Sequence, residues 1–468
     1  MNRIIPMILA VALFMEQMDS TVIATALPTI ATDLGVSPIT LKLALTAYMV
    51  ALAMFIPISG WMADKFGAKK IFRLAILIFV VGSICCAMSG SLLEFVVSRF
   101  LQGMGGSMMT PVGRLVLLRT NKRSELVSAM ALFTIPALVG PLTGPPIGGF
   151  ITTYFSWHWI FLINVPIGLL GILLTTIFLP EIAPTQPPKL DWKGFVLTSI
   201  SAAGIVFGLS VIGLPALPPA IGIGATAAGA IATVLYIRHA RQHPAPILNL
   251  RIFQDQAFRA AVGGGTMFRI STGAIPFLMP LMLQLGFGLN AFQSGMITFS
   301  GAIGALTVKF IARRTFALTG FRTTLIWAAS LGAVMTAVNG FFTPDTPHIL
   351  IIVSLLVGGL CRSFFFTGTN ALAYSEVSDQ QASQATSMSS VFQQVSLALG
   401  VAFAAFILEI SSFVSGTELT LSDFHLAFFL VAAISVLSIW PLVKLPASAG
   451  SAVSGHGARR TAQAQAGE

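Results

Sequence analysis

Charge is what this chain has least of. Only 9% of its 468 residues are Asp, Glu, Lys or Arg, against 55% apolar residues, a balance that leaves too little polar surface to cover a soluble domain. Cysteine is nearly absent as well. Cys85, Cys86 and Cys361 lie in apolar segments and two are adjacent, which implies packing residues rather than a disulfide framework or a zinc site. His158 has no second His, Cys or acid at ligand spacing, so no metal site and no cofactor are expected. No G-x-S-x-G, H-E-x-x-H or Walker-type phosphate loop occurs and no paired-histidine catalytic arrangement is expected, which argues against an enzyme and against a nucleotide-driven pump. The net charge of +10 is spread over short loops with no basic, aromatic-interleaved patch, so no nucleic-acid partner is expected.

What is present is apolar length. Mean hydropathy is +0.88, and stretches of the roughly 20 residues needed to cross a bilayer recur from Ile4 to Leu445. They predict fourteen spans near 4–26, 40–60, 71–91, 93–116, 125–149, 157–179, 194–213, 216–237, 257–282, 291–312, 321–341, 347–372, 386–411 and 422–444. The first reads as a retained transmembrane helix and not a signal peptide, because its apolar run is long, carries Glu16 and Asp19 and lacks a small-residue cleavage site.

Basic loops test that count through the positive-inside rule. Loops after spans 2, 4, 6, 8 and 10 carry Lys65, Lys69, Lys70 and Arg73, then Arg119, Lys122 and Arg123, then Lys189 and Lys193, then Arg238, Arg241 and Arg251, then Arg313 and Arg314. The intervening loops hold Asp33, Asp345, Glu418 and Asp423, with Lys42 the one base near that side. Both termini are therefore expected in the cytoplasm. The loop after span 12, with Glu376 and Asp379 and no base, departs from the alternation.

An internal repeat is also legible. Gly301 and Gly304 followed by Lys309, Arg313, Arg314 and Arg322 read as a degraded copy of the basic turn after span 2. The chain then divides into a six-helix bundle (1–180), a linker with two inserted helices (181–256), a second six-helix bundle (257–445) and a disordered cytoplasmic tail (446–468). Pro184–Pro188 and His239–Gln256 are the expected connections on either side of the insert.

A charge at mid-membrane costs at least about 2.5 to 3.5 kcal/mol and marks function by default. Asp19 and Arg99 fall at similar depths in spans 1 and 4 and could pair, and Glu16, three residues before Asp19, shares its helix face. Protonation of either acid could then be coupled to the other.

Several segments carry a resemblance. Gly60-Trp-Met-Ala-Asp64-Lys-Phe-Gly67-Ala-Lys69-Lys70 is similar to the turn between helices 2 and 3 of major facilitator transporters. Arg99-Phe-Leu-Gln102-Gly103-Met-Gly-Gly106 and Asp19-Ser-Thr-Val-Ile-Ala-Thr-Ala-Leu-Pro28 resemble the helix 4 and helix 1 motifs of the drug:proton antiporters of that superfamily. Gly140-Pro141-Leu-Thr-Gly144-Pro145-Pro-Ile-Gly148-Gly149 resembles the antiporter motif of its exporters, with three prolines and four glycines that would bend the helix and admit a close neighbour. Trp157-His-Trp-Ile-Phe-Leu-Ile-Asn-Val-Pro-Ile-Gly168 reads as an aromatic anchor at the outer interface and is similar to the fourteen-helix members. The likeness is dense over the first 170 residues, while the second half matches mainly by span count.

This resemblance implies an all-α, polytopic major facilitator fold with six, two and six helices. It further implies a monomer in the bacterial inner membrane that exchanges protons, through Asp19, Glu16 and Arg99, for small molecules exported from the cytoplasm.

One feature departs from a pump for lipophilic cations. Arg269 and Arg362 have no obvious acidic partner in their own helices, and together with Arg114 near the inner end of span 4 they would favour an organic anion or a metal chelate such as iron–citrate. Met267, Phe268, Phe277, Met279, Met282 and Phe364–Phe366 could line an adaptable cavity. Outside transport, a membrane sensor or structural protein without coupling is the alternative.

Overall fold

A chain in hydrocarbon must satisfy its backbone polar groups within each segment, which restricts spanning elements to helices and closed barrels. The computed structural model follows the first route. It describes residues 4–120, 126–181, 189–212, 217–373, 375, 379–415, 419–446 and 448–451, and no strand occurs among them. The helices are α1 (Ile4–Asp33), α2 (Lys42–Phe66), α3 (Ala68–Ala87), α4 (Leu92–Thr120), α5 (Leu126–Tyr154), α6 (His158–Leu162) and α7 (Asn164–Phe178). There follow α8 (Trp192–Val211), α9 (Pro219–Gln242), α10 (Gln256–Leu281), α11 (Ala291–Asn339), α12 (His348–Ala373), α13 (Asp379–Ser415), α14 (Leu421–Leu437) and α15 (Ile439–Val443).

Their ends follow local chemistry. Asp191, Asp255 and Asn290 accept backbone N–H bonds as caps of α8, α10 and α11, and Asn290 with Gln293 forms a capping box. The reversal from α2 to α3 takes one residue, Gly67, at φ 91°, a conformation open to glycine because it lacks a Cβ. Gly320, at φ 75° and ψ 168°, interrupts the 49-residue α11 for the same reason. The expected basic turn after span 10 is thereby corrected: Gly301 and Gly304 lie within α11 against α12, and the chain reverses only at Gly320.

Among the described residues, eleven helices are long and apolar enough to cross a membrane. The broken α11 counts once among them, and α4 and α5, 29 residues each, are not included. Glu94, Arg99, Arg114 and Arg119 lower the apolarity of α4. Large apolar side chains such as Phe310 and Phe413, 87% and 88% exposed, face outward, as a lipid-solvated surface requires. The tail from 452 onward and the 184–188 connection lie outside the described residues.

In one half α1 packs on α5 and α4 on α2 and α3; in the other α10 packs on α13, and α11 on α12 and α14. The pairs α5/α11 and α2/α13 join the halves. Helix α8 lies against both α2 and α13, with Val206 buried between Val50 and Ala398, and α9 packs on α8. Small residues allow that last contact: a Cβ on Gly204 would lie 2.8 Å from the Gly229 Cα, so the two backbones touch.

The glycines of α5 have the same use. Gly140, Gly144 and Gly148 face α1, while Gly149 faces α11, where an added Cβ would lie 2.8 Å from the Phe292 Cα. Overpacking of this kind costs typically about 1–3 kcal/mol. Gly149→Val is expected to force α5 and α11 apart and to lower both thermal stability and transport rate. A detergent melting curve and a flux assay check it; an unchanged melting point would show that the interface yields freely.

Candidate functional site

Helix α1 carries Asp19 into the interior of the first half, where it is 1% exposed. Helices α4 and α7 donate to its carboxylate, and α2 and α3 support those donors. Arg99 of α4 donates through Nη1 to Oδ2 at 2.6 Å, Gln102 donates through Nε2 to Oδ1 at 2.8 Å, and Asn164 at the start of α7 donates through Nδ2 to Oδ1 at 2.8 Å. Ser83 of α3 accepts from Gln102 at 2.8 Å and from Asn164 at 3.3 Å. Arg99 Nη1 also donates to Gln102 Oε1, three residues along the same helix. The guanidinium lies over the Tyr48 ring, 4.3 Å from its centroid.

This network is not fully satisfied. Arg99 Nε and Nη2, Tyr48 Oη and Asn164 Oδ1 are buried without a hydrogen-bond partner among the described residues. Such atoms are rare in folded proteins and call for an explanation, since a partly satisfied polar network costs more than an apolar core. A group retained at that cost is a candidate for a moving part.

Glu16, one turn before Asp19, belongs elsewhere. It lines a cavity of ≈ 700 Å³ between the two halves and accepts from Thr110 Oγ1 at 3.2 Å. Tyr48 borders the same cavity and its ring packs on the Arg99 guanidinium, so it touches both the cavity and the Asp19 network. The helix face shared by the two acids therefore spans a buried site and a cavity wall.

The opposite wall is basic. Lys309 of α11 and Arg362 of α12 line it beside Phe366 and Asn370. Lys309 donates to Thr367 Oγ1 at 3.2 Å, whereas Arg362 has no ion pair or hydrogen bond with any described residue. Arg269 does not line the cavity; it is buried in α10, donates to Asn370 Oδ1 at 3.4 Å and lies 5.1 Å from the Phe366 centroid. Arg114 is exposed at the far part of α4, off the cavity wall, although its charge reaches Glu16. Of the expected cavity residues, Phe268, Phe277, Met279 and Phe366 line it.

Among the described residues, Lys42–Glu409, Gln284–Thr25 and Phe292–Thr153 are polar contacts that join the halves, and all lie at one end. Lys42 Nζ at the start of α2 meets Glu409 Oε1 near the end of α13 at 2.7 Å, with side-chain exposures of 0% and 7%. Gln284, in a π turn that follows Pro276 and Pro280 (Met282–Gly286), donates to the Thr25 carbonyl at 3.0 Å. The Phe292 N–H donates to Thr153 Oγ1 at 3.1 Å.

At the other end Asp64 pairs with Arg119, the last turn of α4, at 2.5 Å. Lys69 reaches Glu181 at 3.4 Å, and Lys65 lies 4.7 Å from the Trp61 centroid. Asp64 therefore joins two helices instead of bonding to the lysines of its own turn. Gly60 has open space around it, while Gly103 meets the Tyr48 carbonyl, 2.6 Å from where its Cβ would be.

Sequence reasoning missed Ser83, Tyr48, Asn164, Arg119 as the partner of Asp64, and Glu409. A lone Asn in the apolar run of Trp157–Gly168 and a lone Glu late in span 13 were the available signals. It also missed a group at the base of the inserted helices, Asp191, His239 and His243. There burial would raise the Asp191 pKa, but bonds from the Gly194 N–H, His239 and the Ile247 N–H outweigh it and hold the carboxyl below the usual range.

Comparison with known proteins adds relatives to this geometry. The sequence profile described as Major Facilitator Superfamily matches residues 9–317 and 261–464. A Haemophilus influenzae protein described as a probable transport protein, HsrA, is 35% identical over 437 residues, 93% of this chain and 94% of its own. MdtD of Escherichia coli, provisionally named for multidrug resistance, is 36% identical over 408 residues, covering 86% and 85%. The fold resembles the crystal structure of a D-xylose–proton symporter with a TM-score of 0.69 at 14% identity, over 96% of this chain and 98% of that one.

Proposed function

The chain belongs to the major facilitator superfamily, and on that premise we propose that it is a proton-coupled antiporter that exports small molecules from the cytoplasm. It is a multi-pass membrane transporter and not an enzyme. The observation that carries the coupling is the buried Asp19–Arg99 pair, one helical turn from a second acid, Glu16, on the cavity wall. Glu16 is the group that protons and substrate can both reach, and Asp19 is the group whose charge balance shifts when Tyr48 or Arg99 moves. Only a carboxylate with two environments of different proton affinity can load on one side and release on the other.

In this reading fourteen spans divide as six, two and six, with bundles over 1–180 and 257–445. The protein acts as a monomer in a bacterial inner membrane with both termini in the cytoplasm. The end closed by Lys42–Glu409 is then the outer one. Export rests on the likeness of the Gly140–Gly149 helix to that of exporters.

A second reading of the cargo is favoured by Arg362, a cavity-wall guanidinium beside Lys309 that has no partner among the described residues. Two bases facing one acid suit an organic anion or a metal chelate better than a lipophilic cation. Substrate-induced proton release from proteoliposomes under an imposed pH gradient separates the readings. A response to a lipophilic cation alone supports drug efflux. A response to citrate, with or without iron, that is lost in Arg362→Ala supports the anion. No response to either class in protein with a normal melting curve would support the sensor alternative.

A further inference from the structure

The base of the inserted helix pair carries a cluster that neither the buried network nor the cavity uses. Asp191 caps α8 by accepting from the Gly194 N–H at 2.8 Å, and it also accepts from the Ile247 N–H at 3.3 Å. Helix α9 returns antiparallel and brings His239 to it, with Nε2 2.7 Å from Asp191 Oδ1. One turn later His243 ends that helix, its ring centroid 5.0 Å from that of His239. One ligating atom from each of the three residues lies within 4.8 Å of the other two. His243 Nδ1 accepts from the Ala245 N–H at 3.2 Å, which orients the ring and leaves Nε2 as its ligating nitrogen.

Two imidazoles at i and i+4 and one carboxylate form the donor set of a borderline divalent ion, with a fourth position left for water. Calcium and magnesium prefer oxygen ligands throughout and fit poorly. Bonds of about 2.0–2.1 Å in tetrahedral arrangement place ligand atoms roughly 3.3–3.5 Å apart. The Asp191–His239 contact would thus open by less than an ångström and His243 would move inward. Backbone donors already fix the carboxylate, as hydrogen bonds outside the ligand set commonly do for metal ligands. Lys189, Lys193, Arg238 and Arg241 flank these residues in sequence, and their positive field weakens cation binding, which makes the Asp191 charge indispensable.

We infer that Asp191, His239 and His243 bind one divalent transition-metal ion of the zinc, cobalt and nickel class, tying α8 to α9 and to the segment that leads into the second bundle. The site stands apart from the transport reading, since none of its residues lines the central cavity. A plain helix clasp is the competing account: an ion pair and a cap would place Asp191 and His239 where they are, but would not need His243.

Tag-free, full-length protein in detergent, stripped with a chelator, is titrated with Co²⁺ while its visible d–d absorption is followed, then with Zn²⁺. The expected result is one saturable equivalent with a tetrahedral spectrum, displaced by Zn²⁺, and a metal-dependent rise in melting temperature. His243→Ala, which removes only a local bond to Ala245 and the contact with His239, is expected to lose both while melting normally without metal. His239→Ala serves as the second variant. No saturable equivalent in the wild type, or one retained in both variants, overturns the inference.

Discussion

Arg99→Ala is expected to reduce acid-driven flux to background and to destabilise the first half. The substitution leaves the Asp19 carboxylate buried with only the Gln102 and Asn164 amides as donors. Removing one partner of a buried pair costs on the order of 3–5 kcal/mol, far more than the intact pair contributes, because an uncompensated charge is left behind. Without the guanidinium the carboxylate also has no cation to exchange with, which removes the proposed coupling step. Asp19→Asn keeps the size of the side chain but cannot titrate; it leaves Arg99 buried without its anion and sets an amide against the donors of Arg99, Gln102 and Asn164, so lost proton release with a lowered melting temperature is expected. Arg99→Lys keeps the charge without the planar fork and should recover only part of the flux. Wild-type flux in both Asp19→Asn and Arg99→Ala would remove these residues from the coupling mechanism.

The second large effect is expected at Lys42 and Glu409, which are 367 residues apart and join the halves. Opening that end must separate them, so the pair contributes to the closed-end state only. Lys42→Ala leaves Glu409 buried without its cation while that end is shut, and hydration on opening relieves it. A penalty of about 3–5 kcal/mol, at 1.4 kcal/mol per tenfold, shifts the equilibrium toward opening by on the order of a hundredfold or more. The alkylation rate of a cysteine introduced as Thr46→Cys, one turn from Lys42 and 3% exposed, reads that population. The rate should rise strongly in Lys42→Ala and fall back in Lys42→Met/Glu409→Leu, since apolar residues of similar volume often replace a buried pair at little cost. An unchanged rate in Lys42→Ala would mean that the helix contacts of α2 with α13 hold that end without help from the charges.

These residues show how far the chain can be read unaided. Asp19 and Arg99 stand out because a charge in an apolar run is conspicuous by itself, and their equal depth follows from counting along two antiparallel helices. Their pairing at 2.6 Å realises that reading. Asn164, Ser83 and Tyr48 carry no charge and look ordinary in an apolar helix, and only the convergence of α1, α2, α3, α4 and α7 gives them a role. Glu16 and Asp19, one turn apart, were legible as a pair but not as members of two compartments. Nothing local tells whether an acid will meet the cavity or the buried network. Arg114, Arg269 and Arg362 look alike in sequence, yet Arg362 alone lines the cavity, because rotation about each helix axis is set by packing and not by composition.

By itself, then, the sequence determined the medium, the all-helical class, the family and the charged positions that the membrane makes expensive. Each of these follows from runs, spacings of three or four residues and one-residue turns such as Gly67, all of them local properties. The tertiary structure alone decided the wedge of α8 between α2 and α13, the Lys42–Glu409 closure, the division of the two acids and the meeting of Asp191 with His239 and His243. Those contacts join residues from tens to hundreds of positions apart, and in a protein whose helices share one apolar solvent, hydropathy does not distinguish the face that meets lipid from the face that meets another helix.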